Sequence, residues 1–345
     1  KSIRWPKRVA LASQWRKAQY MICEATIWDG FSSARMTDVA AAMPSPREAV
    51  ELAEAALVAR ASGTAQVPPK PAVFFGGNAF ANAMPVAVAG HDDEPSLLGC
   101  KWISLQPDNP ARGLPTASGI MIVCDAETGL PTCLMSAGEL TAVRTAAVTA
   151  ACLRAFVAPD EPVTFVGAGA QALSHLRILT AIGYRDVTFV GRREEARQAL
   201  AAVADELGMS ERVRVTDSRD DAVRGASAVI TGLPIGLRGA ELDPHLVRDD
   251  ALLLPLDYGS SVGADLAASA SVTSDDVEQF SQVAPLKLGP DYPLATEWTG
   301  NAIRQPRPAG RLVMQNLGNA SSDIVLAAKI ADEAACAGIG TLLNR

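Results

Sequence analysis

From residue 163 onward, short apolar runs alternate with helical stretches in a steady rhythm. VTFVGAG reads as a buried strand, AQALSHLRILTAIG as a helix closing at Gly183, and DVTFVGRR as a second strand. EEARQALAAVADELG is helical, RVRVTDS extended, RDDAVRGA helical and SAVITGLP extended, and ALLLPLD and ASVTSDD add two more strands. Strands alternating with helices over about 115 residues predict a parallel, doubly wound α/β sheet.

Within that rhythm the run GAGAQA opens the first helix directly after its first strand. Gly167 suits the tight turn, Gly169 lets a pyrophosphate approach the backbone, and Ala172 allows helix and strand to pack closely. Ala170 and Gln171 begin the helix, whose free N–H groups favour phosphate. A dinucleotide is therefore expected here. At the end of the second strand, where an NAD site usually carries an acid, stand Arg192 and Arg193. Two guanidinium groups suit a ribose 2′-phosphate, so NADP(H) is favoured over NAD(H). The alternative is that they merely begin a solvated helix with Glu194 and Glu195.

The region before residue 146 is built differently. SPREAVELAEAALVARAS puts Ala49, Val50, Ala53, Ala56, Leu57 and Ala61 on one helical stripe, with Pro46 in the first turn. VPPKPAVFFGG and SLLGCKWISL read as strands, and GIMIVCDAETGLPTCLM as a hairpin turning at DAETGLP. SAGE has the form of a capping box before the long alanine-rich helix LTAVRTAAVTAACLRAF, and VAPDEP closes it as a domain junction. After a Pro- and Gly-rich stretch, NASSDIVLAAKIADEAACAG gives a closing helix.

Composition narrows the class. With 48% hydrophobic and 20% charged residues the chain has ample core material, and its net charge of −7 argues against a nucleic-acid partner. No apolar run reaches the length of a membrane span, and the basic start has no signal-peptide pattern. Six cysteines without a CxxC pair favour a reducing, cytoplasmic setting. Three scattered histidines (His91, His175 and His245) show no metal-ligand spacing, so no metal is expected.

GELTAVRTAAVTAACLRAF followed by FVGAGAQALSH resembles the ornithine cyclodeaminase/μ-crystallin family. AMP at 83–85, GCKW at 99–102, PDNPARGLPT at 107–116, DAETGLP at 125–131 and NLGNASSD at 316–323 extend the likeness from about residue 37 to the end. Residues 1–35 look unlike a family start. The resemblance implies a Rossmann domain, 146–311, inserted into an α+β substrate-binding and dimerisation domain, 1–145 with 312–345. It also implies a homodimer, and hydride exchange between a nicotinamide and the α-carbon of an amino or imino acid.

In such proteins cations hold the substrate carboxylate, and Lys70, Lys101 and Arg144 match those positions. Lys101 is also singled out by its own setting, since a lysine inside an apolar strand is costly to bury unless an anion meets it. A structural ion pair is the competing reading for Arg144. Thr116, Thr145 and Thr231 complete the expected cofactor contacts. Asp257, after the strand LLLPL, is the acid/base candidate beside Lys101; the alternative is a loop aspartate that caps its own backbone. The usual paired glycines before this aspartate are missing, which weakens an ornithine assignment. Imine or ketimine reduction, or amino-acid dehydrogenation, is the leading expectation. Cyclodeamination with a recycled cofactor is second, and a non-catalytic protein that binds NADPH and a small ligand is third.

Overall fold

A computed structural model describes residues 20–22, 37–76, 79–90 and 95–343 and shows two compact units. One takes in the described residues up to Arg144 and those from Ala320 onward, and the other is Thr145–Asn319.

In chain order the elements begin with β1 (Tyr20–Ile22), α1 (Thr37–Ala41), α2 (Pro46–Ala61), β2 (Ala65–Gln66), β3 (Ala72–Phe74) and β4 (Phe80–Val88). They continue with β5 (Leu97–Leu105), β6 (Ala117–Asp125), β7 (Pro131–Ser136) and α3 (Ala137–Phe156). Next come β8 (Val163–Val166), α4 (Ala170–Ala181), β9 (Val187–Val190), α5 (Glu194–Glu206), β10 (Val213–Thr216), α6 (Arg219–Val223) and β11 (Ala228–Thr231). Then follow β12 (Leu252–Pro255), α7 (Ala264–Ala268), β13 (Ala270–Ser274), α8 (Val277–Lys287), β14 (Glu297–Trp298), α9 (Thr299–Ala302) and β15 (Arg311–Met314). The chain closes with α10 (Ala320–Ala337) and β16 (Thr341–Leu343).

The first unit is a sheet in the order β16-β1-β7-β6-β5-β4-β2, with β3 added on β4. Its centre, β4 to β7, is an antiparallel meander. Alternate residues point to one buried face: Met84 and Val86 on β4, Lys101 and Ile103 on β5, Met121 and Val123 on β6, and Cys133 and Met135 on β7. Helix α10 packs on β4, β5 and β6, and α2 packs on α10. Most of the apolar stripe expected on α2 is buried, and Leu52, Ala55, Val58 and Ala59 are buried besides, because alanine lets the neighbouring helix approach closely. The Ser321 hydroxyl donates to the Ala56 carbonyl at 3.1 Å, and Lys329 pairs with Glu48 at 2.9 Å, so α10 and α2 are also joined by polar contacts.

The second unit is a wholly parallel sheet in the order β10-β9-β8-β11-β12-β15-β13-β14. The order runs outward in both directions from β8 and β11, which is the doubly wound arrangement. Strands β8, β9, β11 and β12 are buried at every residue, as their unbroken apolar runs require. Residues 312–319 lie in this unit and not in the first, because β15 is hydrogen-bonded between β12 and β13. Its four residues, RLVM, are too short to show a period, which is why the sequence places the domain boundary at 311/312, inside this strand.

Candidate carboxylate and dinucleotide sites

In the first unit Lys101 sits at the middle of β5 on the buried face, with no exposed surface. Its cross-strand neighbours are Met84 on β4 and Met121 on β6, so apolar side chains flank it on both sides. Two residues earlier, Gly99 keeps the face low. A Cβ there would lie 2.4 Å from the Ile122 carbonyl oxygen and 2.7 Å from the Ile324 Cδ1 on α10. That close approach brings Asp323, the neighbour of Ile324, onto Lys101. Lys101 Nζ donates to Asp323 Oδ1 at 2.6 Å. Arg144 Nε, from α3, lies 2.9 Å from the same oxygen as an ion pair without hydrogen-bond alignment. Asp323 Oδ2 is buried and accepts no hydrogen bond among the described residues.

The balance of charge here is positive. Lys70, half-buried just before β3, is near enough to disfavour the charged form of Lys101. Lys101 and Arg144 therefore share one carboxylate oxygen. Burial is the largest influence on Lys101, and with the Arg144 charge it outweighs Asp323, lowering the lysine pKa to about 7. A desolvated group of cations with too few anions is suited to receive a carboxylate.

The anion that permits Lys101 to be buried is thus already in the chain. Asp323 lies 222 residues further on, and nothing local in NASSD marks it as the partner of a strand lysine. The ion-pair alternative for Arg144 is realised through the same aspartate.

In the second unit the turn after β8 has the form the glycine run implies. Gly167 has φ of +140°, and a Cβ there would meet the Gly232 carbonyl at 2.7 Å. Gly169 precedes α4 with extended backbone and open space where a Cβ would stand, and no side chain caps the helix. Ala170 and Gln171 form its first turn, so backbone N–H groups are left for phosphate oxygens. These features fit a dinucleotide pyrophosphate. Beneath the turn, buried His175 bonds through Nδ1 to the Gln171 carbonyl at 2.7 Å and packs on Phe165. Burial lowers its pKa to about 4, so it is neutral.

Arg192 and Arg193 are exposed at the end of β9, and neither side chain has an ion pair among the described residues. Their loop is tied instead by Arg197, which donates to the carbonyls of Gly191 at 2.8 Å and Arg192 at 3.1 Å and pairs with Glu194.

Asp257 differs from the free acid/base group expected. It has no exposed surface, and both its oxygens are engaged. Oδ1 accepts from the Thr231 hydroxyl at 3.0 Å, and Oδ2 accepts from the Leu233 N–H at 3.1 Å and the Ser261 hydroxyl at 2.6 Å. Burial raises its pKa while these three bonds oppose the rise. The carboxyl braces the ends of β11 and β12. Thr231, expected at the cofactor, is fully buried and spends its hydroxyl on this brace. Thr145 lies in α3, its carbonyl accepting from the Thr149 hydroxyl. Thr116 is exposed in the first unit, where its carbonyl accepts from Gln106 N–H.

Beside the brace is a residue that sequence reasoning passed over. Tyr258 has φ of +55°, the one positive φ outside glycine among the described residues, and Lys287 Nζ lies 4.8 Å from its ring centre. Among the described residues no cluster of His, Cys, Asp or Glu is placed to hold a metal ion, and no helix is long and apolar enough to cross a membrane.

The family described as ornithine cyclodeaminase/mu-crystallin matches residues 34–236, more than half of the chain. The chain is 28% identical to the nodulation efficiency protein NfeD of Rhizobium meliloti over 307 residues, covering 86% of this chain and 93% of that protein. It is 27% identical to the ketimine reductase mu-crystallin of Mus musculus, covering 73% and 80%. Among solved structures, an archaeal alanine dehydrogenase dimer with bound NAD superposes with a TM-score of 0.78 at 22% identity, covering 95% of this chain and 99% of that one. The Thermococcus litoralis Δ1-pyrroline-2-carboxylate reductase, in complex with NADH and L-proline, gives 0.75 at 19% identity, covering 89% and 98%. At these identities the two structures speak for a shared fold.

Proposed function

Starting from the fact that this chain belongs to the ornithine cyclodeaminase/mu-crystallin family, we propose that it is an NAD(P)H-dependent oxidoreductase of amino or imino acids, working in the direction of imine reduction. The observation that carries this reading is the pair of cations, Lys101 and Arg144, meeting on one buried Asp323 oxygen, in a chain that also has a glycine turn suited to a dinucleotide. A relative named as a ketimine reductase, another named as a Δ1-pyrroline-2-carboxylate reductase and a third as an alanine dehydrogenase support the same class.

The bound dinucleotide supplies the hydride. Gly167, Gly169 and the first turn of α4 hold its pyrophosphate, and Arg192 and Arg193 are proposed to select a 2′-phosphate, giving NADPH preference over NADH. Lys101 and Arg144, with Lys70, hold the substrate α-carboxylate and thereby fix the orientation of the neighbouring carbon. Asp257 is proposed to act by holding the β11 and β12 ends in place, since all its acceptor positions in use are filled from within its own unit. Thr145 and Thr116 stay as proposed cofactor contacts. Reduction proceeds more readily on a protonated imine, which the substrate brings with it at neutral pH.

The test is NADPH and NADH oxidation against a panel of cyclic imino acids and of 2-oxo acids paired with amines. Turnover is expected with at least one carboxylate-bearing imine and not with its decarboxylated counterpart. Equal rates with and without the carboxylate, or no turnover across the panel, would sink the reading.

A further inference from the structure

We propose that Asp323 is a positioning residue, one that keeps the Lys101 ammonium charged and aligned with Arg144 for the incoming carboxylate; this rests on the amino/imino-acid reading above. Three observations carry it. One oxygen, Oδ1, serves both cations, at 2.6 Å from Lys101 Nζ and 2.9 Å from Arg144 Nε. The other, Oδ2, is buried with no hydrogen-bond donor, and Arg144 Nε is buried and not aligned on any acceptor. A cluster built only for stability would not leave these groups half-satisfied, because apolar residues of similar volume serve a core as well or better. Two cations on one carboxylate oxygen, with an Arg144 Nε that no acceptor among the described residues satisfies, leave room for a second anion.

The groups that face Lys101 are few and of known sign. Asp323 on α10 favours the charged form; Arg144 on α3 and Lys70 before β3 oppose it, and the flanking Met84 and Met121 add no charge. Burial and the two cations leave the lysine titrating near neutrality only because Asp323 pulls the other way. Loss of that one carboxylate charge lowers the lysine pKa further, and the carboxylate-binding group is then neutral at physiological pH. An arriving substrate carboxylate acts in the same sense as Asp323, so binding above neutral pH takes up a proton.

The experiment compares the parent protein with Asp323→Asn by two measurements. The first follows the Lys101 signal by NMR in protein labelled with ¹⁵N-lysine, assigned by its loss in Lys101→Met. The second measures binding of L-proline and L-alanine to each protein by calorimetry between about pH 5.5 and 9. The parent is expected to titrate near 7 and to weaken its binding about tenfold per pH unit above that point. In Asp323→Asn the titration and the break in affinity are expected to move to lower pH by a unit or more. Binding would then be at least about tenfold weaker at pH 7.5 yet close to that of the parent near pH 5.5. An unchanged Lys101 titration in the variant, or a loss of affinity equal at every pH, would overturn the proposal. Should Asp323→Asn fail to fold, the same two measurements are made on Asp323→Ser: a Lys101 titration unchanged from the parent overturns the proposal, and one moved to lower pH supports it. If neither amino acid binds the parent at any pH, the functional reading is at fault, while the Lys101 titration still decides the role of Asp323.

Discussion

At the scale of single residues, burial makes Lys101 and Asp257 into opposites. Lys101 has lost its water and shares one carboxylate oxygen with Arg144, which we propose is a binding site; Asp257 has lost its water and gained three donors, which we propose makes it a brace. Three predictions belong to that contrast. Lys101→Met, which keeps the volume and removes the charge, is expected to raise KM for the carboxylate substrate at least about tenfold, with little change in NADPH affinity by fluorescence titration. The lysine also has a linkage signature. Its folded pKa of about 7 lies below its unfolded value, so between those two pH values the unfolded chain binds more protons. The contribution of this group to stability therefore grows as pH rises above 7 and is lost below it. Relative to Lys101→Met, the Tm of the parent protein should climb between pH 7 and 9, and parallel Tm curves would contradict the assignment. Asp257→Asn replaces one acceptor oxygen with an NH2 donor that faces donors, and is expected to lose roughly 1–3 kcal/mol in denaturant unfolding. A variant as stable as the parent would show that the brace is not structural.

Elements matter here through their close approaches. Helix α10 reaches the sheet because Gly99 has no side chain, and its arrival is what delivers Asp323 to Lys101. Gly99→Ala places a methyl against the Ile122 carbonyl, a backbone group that cannot swing away, and is expected to destabilise by about 1–3 kcal/mol and to raise KM together with it. A variant with unchanged stability and KM would show that the seating of α10 does not depend on this glycine. On the other sheet, the β9 end displays Arg192 and Arg193 without ion-pair partners while Arg197 holds their loop. Replacing both arginines with alanine should abolish any preference for NADPH over NADH, each contact being worth roughly 1.5–3 kcal/mol. Equal affinity for the two cofactors in the parent would remove these residues from cofactor choice.

For the molecule as a whole, the exposed side of the first sheet is the feature that asks for a partner. Trp102 is 45% exposed on β5, and across β6 and β7 it continues into half-buried Ile120, Ile122 and Leu134. In register these residues line one face, Trp102 beside Ile120 and Ile122 beside Leu134. An apolar sheet face of this kind suits self-association, and we propose a homodimer formed through it. Light scattering should report twice the chain mass at micromolar concentration, and Trp102→Asp should shift it toward monomer. A monomeric parent protein would refute the assembly.

Much of this architecture was legible in the chain itself, for reasons that are local. The Rossmann unit could be read because β8, β9, β11 and β12 are buried on both faces and so are largely apolar, and because the GAGAQA turn combines glycines with a helix start in a few consecutive residues. Lys101 could be read because a charge in an apolar strand is conspicuous. Strand β4 could not, since alanines and Pro85 carry little strand signal, and β15 could not, since four residues show no period. The role of Asp257 and the existence of the Asp323 pairing were decided by tertiary structure alone. Whether a buried carboxylate is reactive, satisfied or shared depends on which donors the fold places around it, and those donors come from the end of β11 and the loop after β12 in one case and from a strand 222 residues away in the other. Composition and period report which face a residue buries; only packing determines what that residue meets there.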